Sequence, residues 1–143
     1  MRLNDIMTRG VETISADQTI QEAASKMRDA DVGFLPVIQE ETAVGILTDR
    51  DIVVRGVADG FEAVAYVGEI MSRGAAKEAG EVDPERTGSV VSLHLDEDVA
   101  TALELMRRKK MRRLLVHDDD YRLVGVVSLA DVARAAPAAA AAT

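Results

Sequence analysis

Apolar positions along this chain change period several times, and the changes recur in the same order in a second stretch. Residues 11–14, with Val11 and Ile14 apolar and β-branched Thr13 between them, read as a short strand. After Thr19 the apolar positions fall at Ile20, Ala23, Ala24 and Met27, the spacing of one helix face. Thr19 and Glu22 form a capping box, in which hydroxyl and carboxylate each close a free N–H of the first turn. Residues 33–38 and 43–47 predict two buried strands, and residues 49–57 a helix that stops near Gly56 and Gly60. The predicted order is β-α-β-β-α. It returns as strands near 90–95, 113–117 and 123–127, with helices over 99–110 and 129–135. A short linking helix is predicted over 66–71.

The recurrence is also one of residues. Gly45-Ile46-Leu47-Thr48-Asp49-Arg50-Asp51-Ile52 matches Gly125-Val126-Val127-Ser128-Leu129-Ala130-Asp131-Val132, 80 positions on. Ala23, Met27, Leu35 and Val37 match Ala102, Met106, Leu114 and Val116 at an offset of 79, whereas Asp5-Ile6-Met7 matches Glu69-Ile70-Met71 at 64. The difference of 15 places an insertion over 75–89, rich in Glu, Gly and small residues and read as a solvated loop. The expected division is therefore a first repeat over 1–60, a linking helix and start of the second over 61–74, the insertion, the rest of the second repeat over 90–136, and a flexible Ala-rich tail over 137–143. A unit of about 60 residues is marginal alone, so the two repeats are expected to share an interface.

Composition narrows the function. With 25 acidic against 17 basic residues the net charge is -8, and the chain has two Phe, two Tyr and no Trp, which argues against nucleic acid and anionic membrane surfaces as partners. The basic run from Arg107 to Arg113 falls at a predicted helix end, where cations complement the helix dipole. The absence of cysteine excludes disulfides, thiol catalysis and thiolate metal sites. Arg2, Asp5, Arg9 and Glu12 interrupt any export signal and no apolar run could span a bilayer, so a cytoplasmic location is expected. No metal site is expected either. His117 precedes Asp118, Asp119 and Asp120 in what reads as a polar hairpin, and His94 has no partner at ligand spacing. Nucleophile-elbow, Walker and Rossmann motifs are absent, so the chain reads as no enzyme.

The repeated motif carries the candidate chemistry. A strand ending at Leu47 and feeding a helix at Thr48 turns free N–H groups outward beside a hydroxyl, which suits phosphate. Asp51, one turn in, has the carboxylate geometry to accept both hydroxyls of a ribose, and Gly45 would let the ligand approach the backbone closely. Thr48-x-x-Asp51 and Ser128-x-x-Asp131 are equally adequate helix caps that need no ligand, so both readings stand.

Taken jointly, Asp5-Ile6-Met7, Ala23-x-x-x-Met27 leading to Gly33-Phe34-Leu35-Pro36-Val37, and Gly45-x-x-Thr48-Asp49-Arg50-Asp51, each with its second copy, resemble a tandem pair of CBS domains, or Bateman module. The resemblance covers Leu3 to Ala135 apart from the insertion. It implies an α/β (α+β) fold of two pseudo-symmetric repeats packed through their sheets, a homodimer, and up to two clefts for adenosine-containing ligands. One cleft would use Thr48 and Asp51 with Val90 and Val91, the other Ser128 and Asp131 with Val11 and Glu12. Family members often place a base before the central strand to meet phosphate. Here that position is Lys110, with Arg112 nearby, in the second repeat, but Asp31 in the first, so unequal clefts are expected. The second copy departs from the pattern with Leu115 in place of Pro36 and Leu129-Ala130 in place of Asp49-Arg50. The implied function is a regulatory sensor of AMP, ADP or ATP, with no cofactor, that signals occupancy to an effector protein through its shape or dimer contacts. The alternatives are a ligand-free scaffold, or a site for another adenosyl ligand such as S-adenosylmethionine.

Overall fold

The structure, a computed structural model, describes residues 1–73 and 92–135. The insertion over 75–89, the tail over 137–143, and Val90 and Val91 lie outside the described residues. The first half runs α1 (Leu3–Ile6), β1 (Ile14–Ser15), α2 (Ile20–Ala30), β2 (Phe34–Gln39), β3 (Thr42–Thr48) and α3 (Asp49–Asp51). A π-helical stretch (Ile52–Val57), a 3-10 turn (Val67–Glu69) and β4 (Ser72–Arg73) follow. The second half is β5 (Ser92–His94), α4 (Val99–Lys109), β6 (Arg113–His117), β7 (Leu123–Ser128) and α5 (Leu129–Ala135). Sheet order is β1-β2-β3-β4 in one half and β5-β6-β7 in the other, with the first pair of each parallel and the rest antiparallel. Among the described residues no helix is long and apolar enough to cross a membrane.

Local chemistry places these elements where the sequence puts them. Thr19 Oγ1 accepts from the Glu22 N–H at 3.1 Å and the Glu22 carboxylate accepts from the Thr19 N–H at 3.4 Å, so α2 begins at its capping box. Both long helices end on a left-handed residue, Asp31 (φ 54°) and Lys110 (φ 54°), which turns the chain sharply into the central strand. The predicted helix over 49–57 does form, but it widens to π pitch after its first turn and sets Gly56 beneath the Cδ1 atoms of Ile70 and Ile20.

The two halves interleave. Residues 1–8 bind the second half: the N–H of Val99 donates to Met1 O, that of Leu3 to Glu97 O and that of Asn4 to Leu95 O, all at 2.9 Å, while Thr8 pairs with Val126. Residues 65–72 bind the first half in the same way, with Ile20 N–H donating to Ala65 O at 2.9 Å, Val67 N–H to Gln18 O at 2.8 Å, and Ser72 opposite Ile46. Leu3 and Met7 are thus buried with Leu93, Leu103, Met106, Leu114 and Val127, whereas Val67, Ile70 and Met71 are buried with Ile14, Ile20, Met27, Leu35 and Leu47. Each core is completed by a segment that matching of the repeats assigns to the other one.

The motif glycine serves this exchange. A Cβ on Gly45 would lie 2.6 Å from Ser72 O and 2.9 Å from Met71 Sδ, and one on Gly125 would lie 2.7 Å from Met7 Sδ and 3.0 Å from Thr8 O. The close approach expected of a ligand is instead made by the neighbouring strand and its methionine, which corrects the reading of Gly45 given above.

A third apolar layer joins the halves through their sheets: Ala43, Leu115 and Val126 are buried there, with Val11, Phe34, Ile46 and Leu123 packed around them. Leu123 N–H donates to Glu41 O at 3.0 Å, and Arg122 pairs with the Glu41 carboxylate at 3.0 Å. At one end of the layer the Arg113 guanidinium lies 4.4 Å from the centre of the Phe34 ring.

Gly45→Ala is expected to cost about 2 kcal/mol, the scale of an overpacked site, because the clash is with a backbone carbonyl. Gly125→Ala is expected to cost less, since its nearest neighbour is the movable end of Met7. Denaturant titration of both variants checks the ranking, and wild-type midpoints would contradict it.

Candidate functional site

Both hydroxyl–aspartate pairs act as caps in this structure, to different degrees. Thr48 Oγ1 accepts from Asp51 N–H at 3.0 Å while Asp51 Oδ2 accepts from Thr48 N–H at 3.0 Å, a closed reciprocal box. Asp51 is further approached by Arg55 at 3.8 Å, and its side chain is 12% exposed. In the second copy Ser128 Oγ accepts from Asp131 N–H at 3.1 Å, but the Asp131 carboxylate turns to Arg134, and its side chain is 29% exposed. The second pair therefore keeps more of its polar capacity on the surface.

The surroundings differ more than the pairs. A cleft of about 420 Å³ opens beside Ser128, lined by Arg112, Arg113, Ser128, Leu129, Ala130 and Ala133. Leu129 N–H donates to Arg112 O at 2.8 Å, which ties the start of α5 to the residue before β6. The first half makes the same bond, Asp49 N–H to Gly33 O at 2.9 Å. There, however, the Asp49 carboxylate overlies Gly33, with Oδ2 only 3.0 Å from where a Cβ would stand. The cleft is bordered by two guanidiniums, whereas at the matching place in the first half a carboxylate lies over a glycine.

Of the residues singled out in the sequence, the structure brings Ser128 and Arg112 together in this cleft, with Asp131 one turn along α5. Lys110 is exposed at the α4 terminus and is not among the lining residues. Val11 is half-buried in the layer between the halves. Glu12 faces a different groove, of about 630 Å³ along α2, where Lys26 is held by Thr13 O at 2.5 Å and approaches Glu12 at 3.9 Å. Thr48 and Asp51 are together in their cap, and their expected companions Val90 and Val91 lie outside the described residues. Sequence reasoning missed Arg113, which reads as one more cation in a basic run. The signal was its register, 79 positions from Phe34.

A second polar cluster sits at the far end of the second sheet. His94 and His117 are register partners on β5 and β6, with ring centres 5.7 Å apart. His94 Nδ1 accepts from Asp96 N–H at 3.0 Å, so its proton sits on Nε2, 2.6 Å from Asp119 Oδ1. His94 therefore has partners that its spacing in sequence does not reveal. Buried His117 shares a hydrogen bond of 2.5 Å between Nδ1 and Ser92 Oγ, and stacks on Tyr121 at 4.8 Å. Asp118 Oδ1 accepts from the N–H groups of Asp120 at 2.9 Å and Arg122 at 3.0 Å, which makes the acidic run a hairpin turn. No group of three or more His, Asp or Glu among the described residues could hold a metal ion. Burial, and then the nearby His94, push the His117 imidazole below its usual pKa, against a smaller upward pull from Asp118.

The sequence profile of the CBS domain matches residues 3–56 and 67–138. CBS domain-containing protein YhcV of Bacillus subtilis (strain 168) is 37% identical over 131 residues, 92% of this chain and 82% of that protein. Among solved structures, Hypoxic Response Protein I with two coordinated zinc ions superposes with a TM-score of 0.74 at 31% identity, covering 94% of this chain and 98% of that one. The CBS domain pair of protein MJ0100, in complex with 5'-methylthioadenosine and S-adenosyl-L-methionine, has a TM-score of 0.70 at 26% identity, covering 96% and 97%.

Because the His117 pKa is depressed in the folded state, the unfolded chain takes up a proton first as pH falls through about 6.5. Stability is therefore expected to decline from about pH 7 towards 5. Thermal midpoints across that range, with His117→Gln as the comparison, check this. A wild-type midpoint that holds steady, or an identical slope in the variant, would contradict it.

Proposed function

The chain belongs to the CBS-domain family, and from that premise we propose that it is a regulatory module which binds an adenosine-containing ligand and passes on its occupancy through shape or dimer contacts. The observation that carries this reading is the cleft beside Ser128. Two guanidiniums border it, and they meet no carboxylate among the described residues, although the chain as a whole carries a net charge of -8. Ser128 and Arg112, with Arg113, face the phosphates, and Asp131 takes the ribose hydroxyls in place of Arg134. That an MJ0100 CBS pair holds adenosyl ligands supports the class of ligand. AMP, ADP and ATP are the proposed occupants, with S-adenosylmethionine as the competing one. Thr48 and Asp51, closed on each other beside the Asp49 carboxylate, form the weaker site.

The proposed assembly is a homodimer. Val53, Val54, Val57, Val64 and Tyr66 are 46–69% exposed along one stretch of the first half, an apolar surface that an isologous contact would cover on both subunits at once.

Asp131→Ala is expected to weaken binding of an adenine nucleotide by about 1.5 to 3 kcal/mol, the size of a hydrogen bond to a charged group. Calorimetric titration reads this directly, and unchanged affinity would reduce the pair to a cap. For assembly, light scattering should give about 31 kDa, twice the 15.4 kDa chain, and Val57→Glu should give the monomer. A monomeric wild type at micromolar concentration rules the dimer out.

A further inference from the structure

Phe34 and Arg113 occupy the same place in their respective repeats, each the first residue of its central strand and 79 positions apart. The pseudo-twofold relation between the halves brings such counterparts face to face, and here it sets a guanidinium 4.4 Å from a ring centre. The pair is unequal: one member is a π face, the other a cation that also lines the Ser128 cleft. Arg112, the preceding residue, lines the same cleft, where its counterpart Gly33 has no side chain and faces a carboxylate. Placing two like charges side by side without a carboxylate is unfavourable in the empty protein. An anion in the cleft relieves it.

We infer that the Ser128 cleft selects nucleoside polyphosphates over monophosphates and over sulfonium ligands, through Arg112 and Arg113, and that Phe34 of the other half is the positioning residue for this choice. The inference rests on the adenosine-ligand reading above and specifies the charge class of the ligand. Two guanidiniums bring two positive charges at separate positions, and a chain of phosphates, with more negative charge and a longer reach than a single phosphate, neutralises both more fully. S-adenosylmethionine carries a sulfonium, an ammonium and one carboxylate, a net positive charge with no phosphate, so the two arginines favour it less than a polyanion. Phe34 acts by restricting Arg113: a long, exposed side chain that would otherwise sample many rotamers is held over the ring, facing the cleft, before ligand arrives.

Calorimetric titration of the full chain with ATP, AMP and S-adenosylmethionine tests this, using Arg113→Gln, Phe34→Leu, Phe34→Tyr and the double variant Arg113→Gln/Phe34→Leu. Wild type should rank ATP first. Arg113→Gln should lower ATP affinity about tenfold and AMP affinity less, which narrows the gap between them. Phe34→Leu should lower ATP affinity about two- to five-fold, the size of an exposed cation–π contact, and add nothing when Arg113 is already Gln. Phe34→Tyr, which keeps the ring, should bind ATP as wild type does. The inference is overturned if the ATP/AMP ratio survives Arg113→Gln, if the Phe34→Leu loss adds in full to that of Arg113→Gln, if Phe34→Tyr loses affinity, or if S-adenosylmethionine or AMP outranks ATP. Tight binding of AMP or S-adenosylmethionine alone overturns this inference and leaves the adenosine reading standing. Binding of none of the three overturns both.

Discussion

Two glycines allow one stretch of backbone to pass where a methyl group would not fit, and the rest of the architecture depends on that passage. At Gly45 the close neighbour is Ser72 O, at Gly125 it is Met7 Sδ and Thr8 O. Because the strands can approach this closely, Ser72 pairs beside β3 and Thr8 beside β7, which covers both outer sheet edges. The same segments carry Met71 and Ile70 into one core and Met7 and Leu3 into the other. Each half is thereby completed by residues from outside its own strand–helix–strand unit. The second half needs residues from the other end of the chain, so neither its core nor its edge is closed until the N-terminal segment has docked.

The repeat, its element order and most boundaries were legible in the sequence because period, caps and turns are local. Thr19 with Glu22 announces α2, and the apolar runs after Gly33 and Glu41 announce β2 and β3. What stayed hidden was non-local. The match of Met7 to Met71 shows that the two are equivalent and is silent on which core each enters. The parallel register that sets His94 beside His117 leaves no trace in spacing along the chain, and the widening of the helix at Ile52 to π pitch falls within a pattern that an α-helix satisfies equally well. At the candidate site, Ser128, Asp131 and Arg112 are readable from motif and offset, whereas Arg113 depends on the halves meeting at Phe34.

Capping and ligand binding are not rival uses of the hydroxyl–aspartate pair. A cap must hold its hydroxyl and carboxylate at the helix start in the empty protein, and that is also where a ligand would meet them. The difference lies in what remains unspent. Thr48 and Asp51 close on each other in a reciprocal box, with Arg55 beside the remaining carboxylate oxygen, while Ser128 caps alone and leaves the Asp131 carboxylate to a surface arginine that water readily replaces. Of the two copies, the second has the lower desolvation cost for a new partner.

Pseudo-symmetry makes this divergence possible at small cost to the fold. Of the positions flanking each cleft, Gly33, Phe34 and Asp49 in one copy and Arg112 and Arg113 in the other lie outside the buried residues of both cores, and only Leu129 packs against one, at the margin of the second core. The backbone bond that closes each cleft floor survives unchanged, at 2.9 Å from Asp49 to Gly33 and 2.8 Å from Leu129 to Arg112. Only the charge around it reverses: a carboxylate over glycine in one half, two guanidiniums beside leucine in the other. That reversal sits at the Phe34–Arg113 contact: every residue lining the cationic cleft comes from the second half, but one of its two guanidiniums rests on a ring of the first, so its position depends on how the halves are docked. Arg113 lies over the ring of one half and lines the cleft of the other at the same time, so the placing of charge in the cleft and the packing between the halves share one side chain.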